Sequence, residues 1–315
     1  MKKQRFLKWS VILGVIGATC VILSAQTNRT ALPGTVNYIE GQVSIDGRAI
    51  AKNQYGYSQL EADHVLSTQN GKAEILLSPG VFLRAGSNSE IRMVSPQLVA
   101  PQVEVMRGEA MVEVDWMPKD AQVDVLEHGA RATIRKAGLY RFNSDGSQIE
   151  VIDGKLEVTE NDQTKEFGKG KEVTLTAAKL KPVSFDRNVE DDLYRWSSVR
   201  ASYLADANVS TAESASSGYG PYWGAGWYWN PYFAFWSWLP GDGYFFSPFG
   251  YPFFSPAYVG YAPGFYRGGF RGGFPARGGF AARSGVALAP RASGFAGGGF
   301  HGGGGGFHGG GGGRR

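Results

Sequence analysis

Gln102-Val103-Glu104-Val105-Met106-Arg107-Gly108-Glu109-Ala110-Met111-Val112-Glu113-Val114-Asp115 decides the fold class. Val103, Val105, Val112 and Val114 alternate with Glu104, Glu113 and Asp115, a period of two that belongs to strands with one buried face. The Arg107-Gly108 pair between the halves predicts a tight turn, since glycine tolerates positive φ. Gln148-Ile149-Glu150-Val151-Ile152-Asp153-Gly154-Lys155-Leu156-Glu157-Val158 repeats the arrangement, which hints at a weak internal repeat.

Outward from these two stretches, further strands are expected at Gly34–Glu40, Gln42–Ile45, Lys72–Leu77, Gly80–Ala85, Glu90–Val94, Gln122–Leu126, Ala130–Ile134, Gly138–Asn143 and Glu172–Ala177. Pro96, Pro101 and Pro118 fall between runs, where they interrupt no ladder. The span 34–183 is long enough for one mainly β domain with its own core.

Several pieces, in order, resemble the FecR domain, the envelope-side domain of regulators of cell-surface signalling. They are Gly34-Thr35-Val36 and Gly41-Gln42-Val43, then Leu60-Glu61-Ala62-Asp63-His64-Val65-Leu66-Ser67-Thr68. Gly71-Lys72-Ala73-Glu74-Ile75, Pro79-Gly80-Val81-Phe82-Leu83 and Val105-Met106-Arg107-Gly108-Glu109-Ala110 follow. Ala137-Gly138-Leu139-Tyr140-Arg141-Phe142, Val151-Ile152-Asp153-Gly154-Lys155-Leu156 and Gly168-Lys169-Gly170-Lys171-Glu172-Val173 close the series. The resemblance implies a twisted, solenoid-like stack of short strands. Family members that regulate sigma factors carry a cytoplasmic domain before a membrane helix. Here Met1–Lys8 is all that precedes the apolar segment, so an exported binding or signalling module is the expectation.

Charge divides the 315-residue chain into three parts. Residues 1–25 carry +4, 26–217 carry −6 and 218–315 carry +6. Lys2, Lys3, Arg5 and Lys8 followed by the uncharged run Trp9–Ala25 describe a secretory signal peptide, with a signal anchor as the alternative. Cleavage after Ala25 would remove Cys20, the one cysteine, so stability without disulfides is expected in a periplasmic or cell-surface setting.

A helix is predicted over 185–208, capped at Asn188, with Val189, Leu193, Trp196, Val199 and Tyr203 on its apolar face. That face either packs on the β domain or docks a partner. Residues 218–266 read as an aromatic, Pro- and Gly-rich low-complexity region, where 219–266 hold 22 of the 42 aromatic residues. Phe245-Phe246-Ser247-Pro248 recurs as Phe253-Phe254-Ser255-Pro256. Such rings can serve as a tether, pack back on the domain, or contact a membrane surface or polysaccharide. Residues 267–315 are Gly-, Arg- and Phe-rich and are expected to be disordered. Nucleic acid would suit such a tail, but the export signal argues against it. An envelope protein or an anionic polymer is the expected partner.

His64 beside Asp63, His128 beside Glu127, and His301 with His308 form no ligand spacing. No phosphate loop, dinucleotide fingerprint or nucleophile elbow is present. Asp191 and Asp192 suit a helix N-terminus better than acid–base work. No catalytic, cofactor-binding or metal-ligating residue is assigned, and a non-enzyme is expected. The competing reading is a structural or adhesive surface protein acting through its tail.

Overall fold

The computed structural model describes residues 30–262, apart from 52, 53, 55, 176–178, 189 and 221. The expected signal segment 1–25, the glycine-rich segment 267–315, His301 and His308 lie outside the described residues. In chain order the first strands are β1 (Val36–Glu40), β2 (Val43–Ile45), β3 (Arg48–Ala49), β4 (Val65–Thr68), β5 (Lys72–Ser78) and β6 (Val81–Ala85). Next come β7 (Glu90–Ser95), β8 (Gln102–Arg107), β9 (Glu109–Val114), β10 (Val123–Glu127), β11 (Ala130–Ile134) and β12 (Gly138–Asn143). The series ends with β13 (Gln148–Asp153), β14 (Lys155–Glu160), β15 (Gln163–Gly168), β16 (Lys171–Thr174) and β17 (Val183–Ser184).

These strands form an eight-stranded sheet, β1-β5-β6-β9-β12-β13-β16-β17, and a nine-stranded sheet, β15-β14-β11-β10-β8-β7-β4-β2-β3. The chain passes back and forth between the sheets, usually a pair of strands at a time, and each sheet grows in nearly sequential order. That progression is the solenoid-like stack expected from the sequence. Pairing is antiparallel except between β8 and β10. Val36, Ile75, Leu83, Val112, Tyr140 and Phe142 of the first sheet share one buried cluster with Leu66, Ile91, Val103, Val125, Ile134 and Val158 of the second. Burying each such side chain contributes roughly 1.5–3 kcal/mol, which is what holds the sheets together.

Arg107-Gly108 and Asp153-Gly154 are not hairpin turns. At Gly108 the chain leaves the nine-stranded sheet for β9 of the other, and at Gly154 it crosses back from β13 to β14. A corner and a hairpin turn need the same left-handed residue, so the local sequence does not separate them. Gly108 has φ +75° and Gly154 φ +88°. A Cβ at Gly108 would fall 2.7 Å from Ser89 Cα, and one at Gly154 2.7 Å from Ala137 O. The hairpins close elsewhere, for example at His128-Gly129 and Asn161-Asp162, all four with positive φ.

The helix α1 spans Asp192–Ser216. It begins after Asn188 and continues well past Asn208. Asp191, not Asn188, is its N-cap, its carboxylate accepting the Tyr194 N–H at 2.7 Å. The expected apolar face is also displaced. Val199 and Tyr203 are about half exposed, while Leu193, Ser197, Arg200, Ala201, Leu204, Ala205, Asn208 and Ala212 are buried. Small residues on that face let the helix approach closely, and its polar members are hydrogen-bonded inside.

Residues 218–266 do not read as a tether throughout. The described part folds into a hairpin of β18 (Gly226–Asn230) with β19 (Phe235–Leu239) and a hairpin of β20 (Tyr244–Phe246) with β21 (Pro252–Phe254). A 3-10 turn, Val259–Tyr261, follows. The rings pack back on the domain: Trp227, Phe235, Trp236, Trp238 and Phe253 share a buried cluster with Leu76 and Phe82 of the eight-stranded sheet and Leu204 of α1.

Candidate functional site

The eight-stranded sheet is therefore covered on both faces, and charged side chains lie under its outer cover. Glu74 on β5, Arg84 on β6 and Glu113 on β9 have no exposed surface, and Arg200 on α1 is 3% exposed. Arg84 Nε donates to Glu74 Oε2 at 3.0 Å, and Arg84 Nη1 pairs with Glu113 Oε2. Arg200 Nη2 reaches Glu74 Oε1 at 2.9 Å. The Arg200 guanidinium also lies between two rings, 4.1 Å from the centroid of Tyr38 and 4.5 Å from that of Phe235. One arginine thus joins helix, sheet and hairpin.

Burial alone would raise the Glu74 pKa, but Arg200 and Arg84 hold it down to about 2. Glu113 and Asp115 behave oppositely. Burial raises Glu113 even against the pull of Arg84, and burial with the neighbouring Glu113 raises Asp115 well above the usual carboxylate range. Two neighbouring carboxyl groups shut away from water favour the protonated form over two negative charges. Trp238 Nε1 donates to Asp115 Oδ2 at 3.3 Å. Arg84 and Arg200 thus face the ionised Glu74 and a carboxyl pair biased toward its protonated form.

Three buried asparagines fasten the cover. Asn37 on β1 donates to Trp236 O at 2.9 Å and accepts from Trp236 N at 2.8 Å, imitating a strand partner for β19. Asn208 on α1 donates to Trp238 O and Phe254 O, both at 3.0 Å, and accepts from Phe254 N at 2.8 Å. Asn230 donates to Ala207 O at 3.1 Å and Thr211 Oγ1 at 3.0 Å. Its Oδ1 accepts from Tyr232 N and Phe233 N, which fixes the tip of the first hairpin. Each amide satisfies backbone groups that would otherwise be buried without partners.

Outside this fastening, several rings stand in solvent: Tyr219, Trp223, Tyr232 and Tyr261. Trp223 lies nearly parallel to Tyr228 at 6.5 Å, and Tyr222 stacks on the same Tyr228 at 5.9 Å. Tyr228 Oη accepts from Trp223 N and donates to Gly224 O, both at 2.8 Å. These rings are thereby held in defined positions.

The histidines are placed as separate polar contacts. His64 Nδ1 bonds Asp46 of the β2–β3 turn, not its neighbour Asp63; that bond first and the Asp46 charge second raise His64, while the same bond first and the Val65 N–H second lower Asp46. His128 Nε2 lies 2.6 Å from Ser144 O. Asp191 caps α1 and pairs with Arg141, and Asp192 pairs with Lys72 at 2.8 Å. No group of three or more metal-ligating side chains occurs among the described residues. The buried ionic cluster itself was not legible as a site, although acids and arginines set inside otherwise apolar runs were its visible trace.

Comparison with known proteins fits the two-sheet body. Residues 63–157 match the model of the FecR protein family, from the loop before β4 into β14. Over these residues the chain carries a FecR domain. Two crystal structures of a proposed anti-sigma factor from Parabacteroides distasonis, at 1.65 and 2.50 Å, are similar to it at 14% and 15% identity. The likeness takes in 44% of this chain and 64% and 62% of theirs, with TM-scores of 0.34 and 0.33. The matched part is thus less than two thirds of either neighbour. A search of curated proteins returned no match.

Proposed function

We propose that this chain is a non-enzymatic, exported FecR-type binding and signalling module of the cell envelope. The observation that carries the reading is the FecR match over Asp63–Glu157, inside a body whose second sheet face is covered by the chain's own helix and aromatic hairpins. A sheet covered in this way leaves the helix and hairpin surfaces as the places for partner contact. Export rests on the basic and apolar pattern of Met1–Ala25. Fractionation tests the proposal: the chain is expected in the periplasm, and pull-down from envelope extract should retain a partner on residues 26–262. Recovery only in the cytoplasm would overturn it.

A second reading, a structural or adhesive surface protein, draws on the solvent-facing Tyr219, Trp223, Tyr232 and Tyr261. It requires that envelope-bound material resist extraction by salt, and that replacing these rings release it. Contact with a membrane surface or polysaccharide through residues 219–266 belongs to this second reading.

A further inference from the structure

We propose that the cavity between the outer face of β12–β13 and residues 185–187 binds a small amino carboxylate with an aliphatic body. The site rests on the binding-module reading and gives that reading a ligand class. The cavity has a volume of about 230 Å³. Glu150 and Ile152 of β13, Phe185 and Arg187 beyond β17, and Tyr194 of α1 line it, with Arg141 of β12 and Asp186 beside them.

One end of the cavity lacks a cation. Strand register sets Arg141, Glu150 and Glu172 in a row across β12, β13 and β16. Glu150 and Glu172 are therefore directly opposite each other, a like-charge pair that weakens a sheet. The cation of the row is drawn away from them: Arg141 pairs with Asp191 and reaches Glu150 Oε2 only at 3.5 Å. Glu150 Oε1 has no donor among the described residues. Burial raises the Glu150 pKa, Arg141 opposes this, and Glu172 and Glu109 raise it further.

The other end lacks an anion. Arg187 forms no ion pair among the described residues, and the hydrogen bond from its Nη1 to Ile152 O is long, at 3.5 Å. Its side chain lies across Gly170, where a Cβ would fall 3.4 Å from Arg187 Nε. The neighbouring Asp186 carboxylate accepts the Asn188 N–H at 2.9 Å.

These two deficits select the ligand. An ammonium at Glu150 supplies the cation that the row lacks, and a carboxylate at Arg187 gains a charge-assisted partner. Between them Ile152, Phe185 and Tyr194 offer apolar surface to an aliphatic body. A ligand with one charge satisfies one end only, and an apolar ligand would strip water from both.

The test titrates the full chain calorimetrically with leucine, with isoamylamine (leucine without its carboxylate) and with isocaproate (leucine without its amine). Leucine is expected to bind saturably and at least about tenfold more tightly than either analogue. Glu150→Gln should weaken leucine and isoamylamine about tenfold and leave isocaproate unchanged. Arg187→Gln should weaken leucine and isocaproate and leave isoamylamine unchanged, at the same melting temperature, because Arg187 is exposed. Arg135→Gln, on the other sheet, should change none of them. Equal binding of the three compounds, no saturable leucine binding up to about 10 mM, or indifference to both cavity variants overturns the proposal. Absent leucine binding with periplasmic location and partner capture intact would remove this site and leave the module reading standing.

Discussion

Replacing Arg200 by Met tests how the cover is fastened. The substitution keeps much of the side chain's volume and removes the charge between Tyr38, Phe235 and Glu74. Glu74 then faces Arg84 alone, with Oε1 keeping only the Asn37 amide at 2.9 Å. Breaking a buried pair from one side costs about 3–5 kcal/mol, because the remaining charge is stranded away from water. Losing the ring contacts adds about 1 kcal/mol. At roughly 2–4 °C per kcal/mol for a body of this size, the melting temperature should fall on the order of 10 °C. The sign against pH follows from Glu74. Its folded pKa of about 2 lies below the ordinary carboxyl value of 4.5, so its stabilisation is present above the unfolded pKa and is lost as pH falls through the folded one. In Arg200→Met the acid transition should therefore begin at higher pH. The assay is urea unfolding of the full chain followed by tryptophan fluorescence, with Glu74→Gln and the double variant completing a cycle. The double variant should be more stable than the sum of the single losses implies, by at least about 2 kcal/mol. A loss below about 1 kcal/mol for Arg200→Met, or simple additivity, would mean that Arg200 does not fasten the cover through Glu74.

Three further outcomes are expected. Glu127 is fully buried, neither of its oxygens has a partner, and burial pushes its pKa up to about 8. Because the folded form binds the proton more tightly than the unfolded chain does, stability should decline from about pH 4.5 to pH 8. Glu127→Gln should flatten that slope and be more stable at pH 8 by on the order of 3 kcal/mol, as read by melts across pH. Gly108→Ala and Gly154→Ala should each cost at least about 2 kcal/mol in urea unfolding, since φ is left-handed and backbone atoms occupy the Cβ position. A chain ending at Ser217 should bind a hydrophobic dye and precipitate, because it uncovers Leu76, Phe82 and the buried charges, whereas one ending at Ala262 should melt like the full chain.

Strand positions were largely legible because alternation survives wherever one face is buried and the other is not. β15 was missed: Gln163-Thr164-Lys165-Glu166 is polar throughout and lies at a sheet edge. Sheet membership was not legible at Gly108 or Gly154, where a corner and a turn need the same backbone. The outer cover was hidden for another reason. Ala73-Glu74-Ile75-Leu76-Leu77 and Val81-Phe82-Leu83-Arg84-Ala85 are almost continuously apolar, as strands buried on both faces are. Taken pairwise with period two, their charges pass for solvated positions. On α1 the apolar stripe pointed to the wrong face, because Arg200 and Asn208 are buried by virtue of partners distant in sequence. The aromatic segment resembled low complexity because its strands are short and its turns rich in Gly and Pro. Asn37, Asn208 and Asn230 complete its hydrogen bonding, and composition contains no sign of those pairings.

The aromatic segment is a folded cover fastened to the β domain. Native-state amide hydrogen exchange tests it most directly, at the N–H groups of Trp236 and Phe254 that donate to Asn37 and Asn208. Both amides should be protected to the same degree as those of β6 in the centre of the eight-stranded sheet. Exchange at the rate of an unstructured chain, with β6 still protected, would contradict it.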